Sequence, residues 1–458
     1  MKTAPNRIAL AIALVAACGA VASHASFAQP QQAQGGGIVT EQRQVGAFSA
    51  IELSGPYHVV IDAQARQAVQ VSGERKQLDE LEVVVRGGTL SVRPRQRNGF
   101  SFGFHFHKER ELPTVTIGAA GLKSLRMSGS GDVELEQVGG ERLVLSSTGP
   151  GDLRASGAVR QLAVESSGSG DLDLRRLQAA DADVNMHGPG DVRLAALSGQ
   201  LAAQMDGSGD LSADGLRTAR VTVRMRGPGD LKLSGTSREL NLDSSGSGDF
   251  EGCDLLVEGA RSVQRGPGNA CIAGNLRKFD AEVHGSGDLS ARGLQTASTQ
   301  LRLDGPGNAD LSGSIGELTL EVNGSGDLNG GSLKVNKAVV RSHGPGGVRL
   351  QNVADTLDAE LHGSGGLQAG MSGKRLLLRL DGPGNARIDG SVAQVSARIS
   401  GSGSLEGRGL SAGQTDISVF GPGSAAVNVV GKDGASAGAV ARGQLLLVDR
   451  SGSHQKAN

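Results

Sequence analysis

The chain is poor in the side chains from which most ligand sites are built. Of its 458 residues none is Trp, one is Tyr and nine are Phe, so aromatic residues make up 2 % and few stacking platforms are available. Its 46 Lys and Arg nearly balance its 47 Asp and Glu, and a net charge of -1 gives no electrostatic support for nucleic-acid binding. After the first 28 residues no segment reaches the 18 or so apolar residues of a membrane-spanning helix. A 3.6-residue period is missing, which disfavours helix, and no nucleotide-binding motif is present. The 72 glycines follow no strict triplet, which excludes collagen.

What the chain does have is a four-residue corner, Gly-Ser-Gly-Asp or Gly-Pro-Gly-Asp, returning every 19 or 20 residues from Gly129 to Gly421, sixteen times in all. Its second residue alternates without exception, from Ser130 and Pro150 to Ser402 and Pro422, so the true period is two corners. Proline presets φ for the second position of a type II turn, and the next position then needs φ above zero, which glycine supplies. The Asp or Asn that usually follows, as in Asp152, Asp191 and Asn269, is suited to bond nearby backbone and hold the corner.

Both arms flanking the corner alternate with period two. The fourth and sixth residues after the first glycine are mostly apolar (Leu172 and Leu174, Leu231 and Leu233), as are the second, fourth and sixth before it (Ile399, Ala397 and Val395). Each coil therefore reads as two strands, a sharp corner and a looser return. A unit of this length buries its apolar face only against its neighbours. The expectation is an all-β, right-handed parallel β-helix of about sixteen 19-20-residue coils, stacked about 4.8 Å apart into a rod on the order of 75 Å long. The outward fifth position alternates acidic or neutral (Glu134, Asp173, Glu251, Glu406) with basic (Arg154, Arg193, Lys232, Arg387) at most steps. Stacked opposite charges are mildly stabilising.

Residues 1-28 read as an export signal: Lys2 and Arg7, an apolar run from Ile8 to Ala22, and Ser26-Phe27-Ala28 as a small-x-small cleavage site. A rival reading takes Val15-Ala16-Ala17-Cys18 as a lipobox that leaves Cys18 lipidated. Both place the protein outside the cytoplasm, in the periplasm, anchored to the outer membrane or extracellular. Residues 29-37 form a flexible leader, 38-127 an N-terminal β cap without the corner, 128-424 the repeats, 425-450 a C-terminal cap and 451-458 a disordered tail.

Gly46 to Gly55, then Leu90-Ser91-Val92, then Leu125 to Asp132 with its repeats, resemble the bacterial family called putative auto-transporter adhesin, head GIN domain, a domain of unknown function. The resemblance runs from about Val45 to Pro422 and implies an exported β-helical protein with an adhesin-like role. The chain departs from the family pattern in its length, in the regular Pro alternation, and in Gly, Asn or Ser at later corners. It lacks an aromatic-girdled C-terminal barrel, so self-transport has no support.

Chemistry-bearing residues each have a plain reading beside a functional one. The corner carboxylates, Asp132 to Asp249, form a column in which calcium bridging competes with turn capping; capping is preferred, because Asn269, Asn308, Gly347, Gly366 and Asn385 interrupt the column. His105 and His107 are half of a metal site at most. His187, His284, His343 and His362 precede corner glycines and read as solvated surface. Phe100, Phe102, Phe104 and Phe106 alternate strictly, giving either a flap over the core or a partner-binding patch. Cys253 and Cys271 lie outward on adjacent coils, roughly 8 Å apart on straight strands, so a disulfide needs a local register shift, for which the irregular 261-265 segment is the candidate. Gly434-Ala435-Ser436-Ala437-Gly438 matches the hydrolase elbow Gly-x-Ser-x-Gly by chance. The reading that follows is a non-enzymatic, exported scaffold without a cofactor, binding a glycan or surface protein; a polysaccharide-active β-helix enzyme is the alternative.

Overall fold

The structure of the protein, a computed structural model, describes residues 37-95, 112-430, 435-437, 444-448 and 454-456. From Val133 onward the chain winds as a parallel β-solenoid. The two arms of a coil merge into one strand of 14 to 16 residues bent at its middle, as in Leu153–Ser166, Leu172–Met186 and Ser404–Val419. Neighbouring strands pair parallel and in the register that the corner spacing sets, for example Leu172 beside Val192 and Leu211 beside Leu231. The alternating residues bury as their period dictates, with Leu194 1 % and Leu233 0 % exposed. Phe250 and Phe279 are the largest fully buried side chains. A few inward positions are polar, among them Ser166, Ser262 and Gln264, all fully buried.

The corner differs from the turn that its sequence suggests. The third-position glycines, such as Gly151 and Gly190, do not have positive φ. They are glycines because the coils approach too closely for anything else: a Cβ on Gly151 would collide with the carbonyl oxygen of Gly131, and one on Gly190 with that of Gly170. Proline fits the second position because the donors carrying the ladder through the corner are the third and fourth residues, as in Gly151 N–H to Gly129 O at 3.2 Å. Positive φ is needed instead eight residues after the first corner glycine, at the mid-coil bend. Gln137, Gly157, Ala196, Gly215, Gly235, Gly274, Gly293, Gly313 and Gly390 all stand there. Register shifts cluster at that bend, between Arg154 and Ser156 or Lys232 and Ser234, because Ser-type coils usually hold one residue more than the Pro-type coils they stack on.

The N-terminal module comprises β1 (Ile38–Arg43), β2 (Ala50–Leu53), β3 (His58–Asp62), β4 (Ala68–Glu74), α1 (Arg75–Asp79), β5 (Leu81–Arg86), β6 (Thr89–Pro94), β7 (Thr114–Gly118) and β8 (Ser124–Met127), before β9 (Val133–Ser147) opens the regular coils. Strands β2 and β3 form a coil layer between β6 and β7 on one side and β8 and β9 on the other, all parallel. Here the corner that the sequence did not reveal is found: Gly55-Pro56-Tyr57 lies under Gly129-Ser130-Gly131, with Gly131 N–H donating to Gly55 O at 3.2 Å. The Pro/Ser alternation thus begins at Pro56. Antiparallel pairs β1–β4, β4–β7 and β5–β6 close this end, so its outermost strands do not extend the parallel stack. The helix α1, unforeseen in a chain without helical period, is a single turn pinned by buried Leu78 and by Glu74 N–H donating to Gln77 Oε1 at 3.1 Å. At the other end Gln444–Val448 pairs parallel with Ser424–Val429, and His454–Lys456 pairs antiparallel with Gln444–Val448.

Candidate functional site

The corner carboxylates organise one flank of the solenoid. Each presents Oδ1 not to its own turn, as the sequence suggests, but to the backbone N–H of the equivalent residue one coil on. Asp152 N–H donates to Asp132 Oδ1 at 3.2 Å, Asp171 to Asp152 at 2.9 Å, Asp191 to Asp171 at 3.1 Å, and Asp230 to Asp210 at 2.8 Å. Asn serves equally: Asn269 Oδ1 accepts from Asp288 N–H at 2.9 Å and Asn308 Oδ1 from Asp327 N–H at 2.9 Å. The last link is Gly347 N–H to Asp327 Oδ1 at 2.6 Å. Each of these carboxylates is held in place by an amide donor of the next coil. Among the described residues no cluster of three or more His, Cys, Asp or Glu is placed to hold a metal.

The ladder then stops for two coils. Gly347 and Gly366 carry no side chain, so the backbone N–H groups of Gly366 and Asn385 lack the acceptor that every earlier corner supplies; neither has another hydrogen-bond partner among the described residues. It resumes with Ser404 N–H donating to Asn385 Oδ1 at 3.0 Å. The fold does not demand these two glycines. A Cβ on Gly366 would meet only Asn385 O at 3.8 Å, one on Gly347 would sit 3.2 Å from Asp327 Oδ1, a tight contact with a side chain rather than backbone, and neither has positive φ. The missing side chains leave a groove of about 590 Å³, walled by Asp327, Asn329, Arg349, Gln368, Arg387 and Glu406. Arg387 is spent on Glu406, through Nε at 3.0 Å and Nη2 at 2.6 Å. Arg349 has no hydrogen-bond or ion-pair partner among the described residues. The coil starting at Gly363 is also the one Ser-type coil of 19 residues, and it pairs with Ala386–Ile399 without a register shift.

Elsewhere some outward charges pair with one another and others, Arg154, Arg224 and Arg292 among them, have no ion pair among the described residues. On the arm preceding the corner a groove of about 430 Å³ is lined by Arg261, Glu282, Arg302 and Glu321, which pair as Arg261–Glu282 at 3.3 Å and Arg302–Glu321 at 3.2 Å. The fifth-position column stacks in register; among the described residues the ion pairs along it are Lys232–Glu251 at 3.2 Å and Arg387–Glu406, and Asn329 Nδ2 donates to Asp310 Oδ1 at 2.6 Å. Asp173 turns instead to Arg175 of its own strand, whose guanidinium bonds hold its carboxyl down to about 2, and Arg193 turns to Asp171 and Asp191. Burial, with Glu80 nearby, pushes the Tyr57 hydroxyl up to about 12.

His187, His284, His343 and His362 all sit on the outer surface before their corners. They join a polar file in which His284 Nδ1 lies 2.9 Å from Asp304, His343 stacks on His362 with centroids 5.1 Å apart, and His362 Nδ1 lies 3.3 Å from Asp381. Cys253 and Cys271 are joined in a disulfide with Cα atoms 5.2 Å apart, closer than straight strands would bring them. The register shift responsible lies not in the 261-265 segment but between Gly252 and Leu256, where Cys253 to Leu255 face no partner. Ser436 lies in the strand Ala435–Ala437 beside Asp416, not at a strand-to-helix elbow. Cys18, His105, His107, Phe100, Phe102, Phe104 and Phe106 lie outside the described residues. The ladder break was legible in the sequence as Gly347 and Gly366; what the sequence hid was that corner side chains reach across to the next coil.

No relative is found among curated proteins. Among solved structures, a putative adhesin from Bacteroides fragilis matches at 17 % identity over 64 % of this chain and 96 % of its own, with TM-score 0.25. A putative lipid binding protein from Parabacteroides distasonis matches at 17 % identity over 68 % and 97 %, with TM-score 0.28. A putative adhesin from the same species matches at 13 % identity over 67 % and 97 %, with TM-score 0.32. The family model described as putative auto-transporter adhesin, head GIN domain, matches four times, at residues 47-204, 196-293, 273-370 and 351-445, and so covers the N-terminal module from β2 onward and the coils to their end. This chain therefore belongs to the putative auto-transporter adhesin, head GIN domain family.

Proposed function

We propose that the protein is an exported, non-enzymatic, adhesin-like scaffold that binds a glycan or surface protein through the outward faces of its coils. The observation that carries this reading is the uninterrupted winding: corner follows corner at 19 or 20 residues from Gly129 to Gly421, within a family defined by adhesin heads. β-Helical enzymes build active sites on loops projecting from their coils, and between these corners the chain is strand except for the short break at 196-199. The outer faces are instead rows of polar side chains at strand spacing, suited to many weak contacts with a repetitive surface. Export follows from the leader, with cleavage after Ala28; the N-terminal residue of the mature protein tests it, and a lipidated Cys18 would replace it with a membrane-anchored form.

The test of the binding role is a screen of the mature protein against glycans and matrix proteins, with F102S/F104S as a comparison for the Phe-rich segment. Saturable binding to a member of either class is the expected result. If nothing binds, while a polysaccharide is depolymerised, the enzymatic alternative takes its place.

A further inference from the structure

We propose that the break in the corner ladder is a ligand subsite, and that it takes the carboxylates of an acidic polysaccharide. This rests on the adhesin-like reading and names the chemistry of the partner.

From Asp152 to Gly347 each corner N–H is met by a carboxylate or amide oxygen from the preceding coil. At Gly366 and Asn385 two such donors stand free, on successive coils about one strand spacing apart, opening onto the groove left by the absent side chains. The occupant that completes the ladder is therefore an oxygen of the kind missing, a carboxylate brought from outside. Arg349 on the wall is an unpaired guanidinium, the group best suited to a carboxylate's two oxygens. The two acidic walls do not oppose this: Asp327 Oδ1 is committed to Gly347 N–H and Glu406 to Arg387. Gln368 adds an amide group of the sort that bonds sugar hydroxyls, while the Asn329 amide is committed to Asp310 Oδ1 and to Gly331 N–H.

A sugar chain fits better than an acidic peptide. The groove crosses the coils on the closed flank of the stack, where no free sheet edge exists for a peptide strand to join. Its apolar lining residues, Leu328, Val348, Leu367 and Ala386, turn inward and are buried, so they offer no anchor of the kind that peptide docking uses.

The variant that tests this restores the repeat. In G347D/G366D each new carboxylate reaches the next corner N–H, as at the other coils, and fills the groove; because Gly366 faces open space and a Gly347 Cβ comes close only to the Asp327 carboxylate, at 3.2 Å, which can shift slightly, the melting temperature should hold or rise. Binding of an oligogalacturonate to the mature protein is measured by calorimetry, with a neutral oligosaccharide of equal length and a glutamate oligomer as further probes. Wild type should bind the oligogalacturonate and neither other probe, R349A should weaken binding by about tenfold, and G347D/G366D should abolish it. Equal binding of the neutral sugar, preference for the peptide, or unchanged binding by a folded G347D/G366D each overturns the proposal. Should wild type ignore oligogalacturonate yet hold another glycan or matrix protein in the screen, the subsite fails and the adhesin-like reading stands.

Discussion

The corners from Asp132 to Asp327 and those at Gly347 and Gly366 share one backbone and differ in one side chain per coil. In the first stretch Oδ1 of each corner side chain is consumed internally, bonding the next coil's amide, so no corner N–H from Asp152 to Gly347 is left open. In the second the same amides are left to solvent or a ligand. A solenoid's repeat thus separates what every coil must have from what one coil can give up. The glycines that touch the neighbouring backbone are obligatory, and the Asp that caps it is removable.

That contrast is broken most severely at the obligatory position. Gly190→Ala drives a methyl into the Gly170 carbonyl and should cost about 3 kcal/mol, whereas Gly366→Ala, facing open space, should leave thermal unfolding within 0.5 kcal/mol or so of wild type. Opening the Cys253–Cys271 link, which closes a loop across adjacent coils of the intact stretch, should cost about 3 kcal/mol by loop entropy; comparing unfolding of C253S/C271S with wild type under non-reducing conditions measures it.

The removable position is sharpened by running it in both directions. Asp210→Ala strips the acceptor from Asp230 N–H and should destabilise by about 1 kcal/mol, while Gly366→Asp, supplying one to Asn385 N–H, should stabilise by a similar amount; equal and opposite shifts in denaturant midpoint are expected. At the mid-coil bend Ala196 holds a φ of 53°, where most coils with positive φ use glycine, so Ala196→Gly should stabilise by about 1 kcal/mol. The smallest effect is that of pH. Asp173 titrates at about 2 in the fold against an ordinary 3.8, so its contribution is whole above pH 4 and is lost as pH falls toward 2. In R175A that slope should flatten, as read from stability measured at pH 5, 4 and 3.

Much of this molecule could be read before any coordinate. Leu172, Leu174, Leu231 and Leu233 declare the inward face by period two alone, and all are buried. The corner is visible because glycine recurs at fixed spacing, yet the reason for it was misassigned: φ is a local quantity that sequence patterns address, whereas the collision between Gly151 and the Gly131 carbonyl exists only once two coils are stacked. The corner at Gly55-Pro56-Tyr57 escaped notice for a similar reason. Tyr57 breaks the glycine pattern, and the layer it belongs to is sandwiched between β6 and β8, which are distant from each other in the chain. Straight-strand geometry puts the two cysteines too far apart because it ignores the bulge between Gly252 and Leu256.

The sequence by itself determined the period, the sidedness of each strand and the order of coils, because alternation and corner spacing are properties of neighbours along the chain. Only the tertiary structure decided which groups meet across coils: that Asp210 serves Asp230, that Gly190 has room for no side chain, and that Gly366 and Asn385 are left with amides to spare. Those relations join residues 19 or 20 apart, and they arise only when stacking brings one coil's side chains to the next coil's backbone.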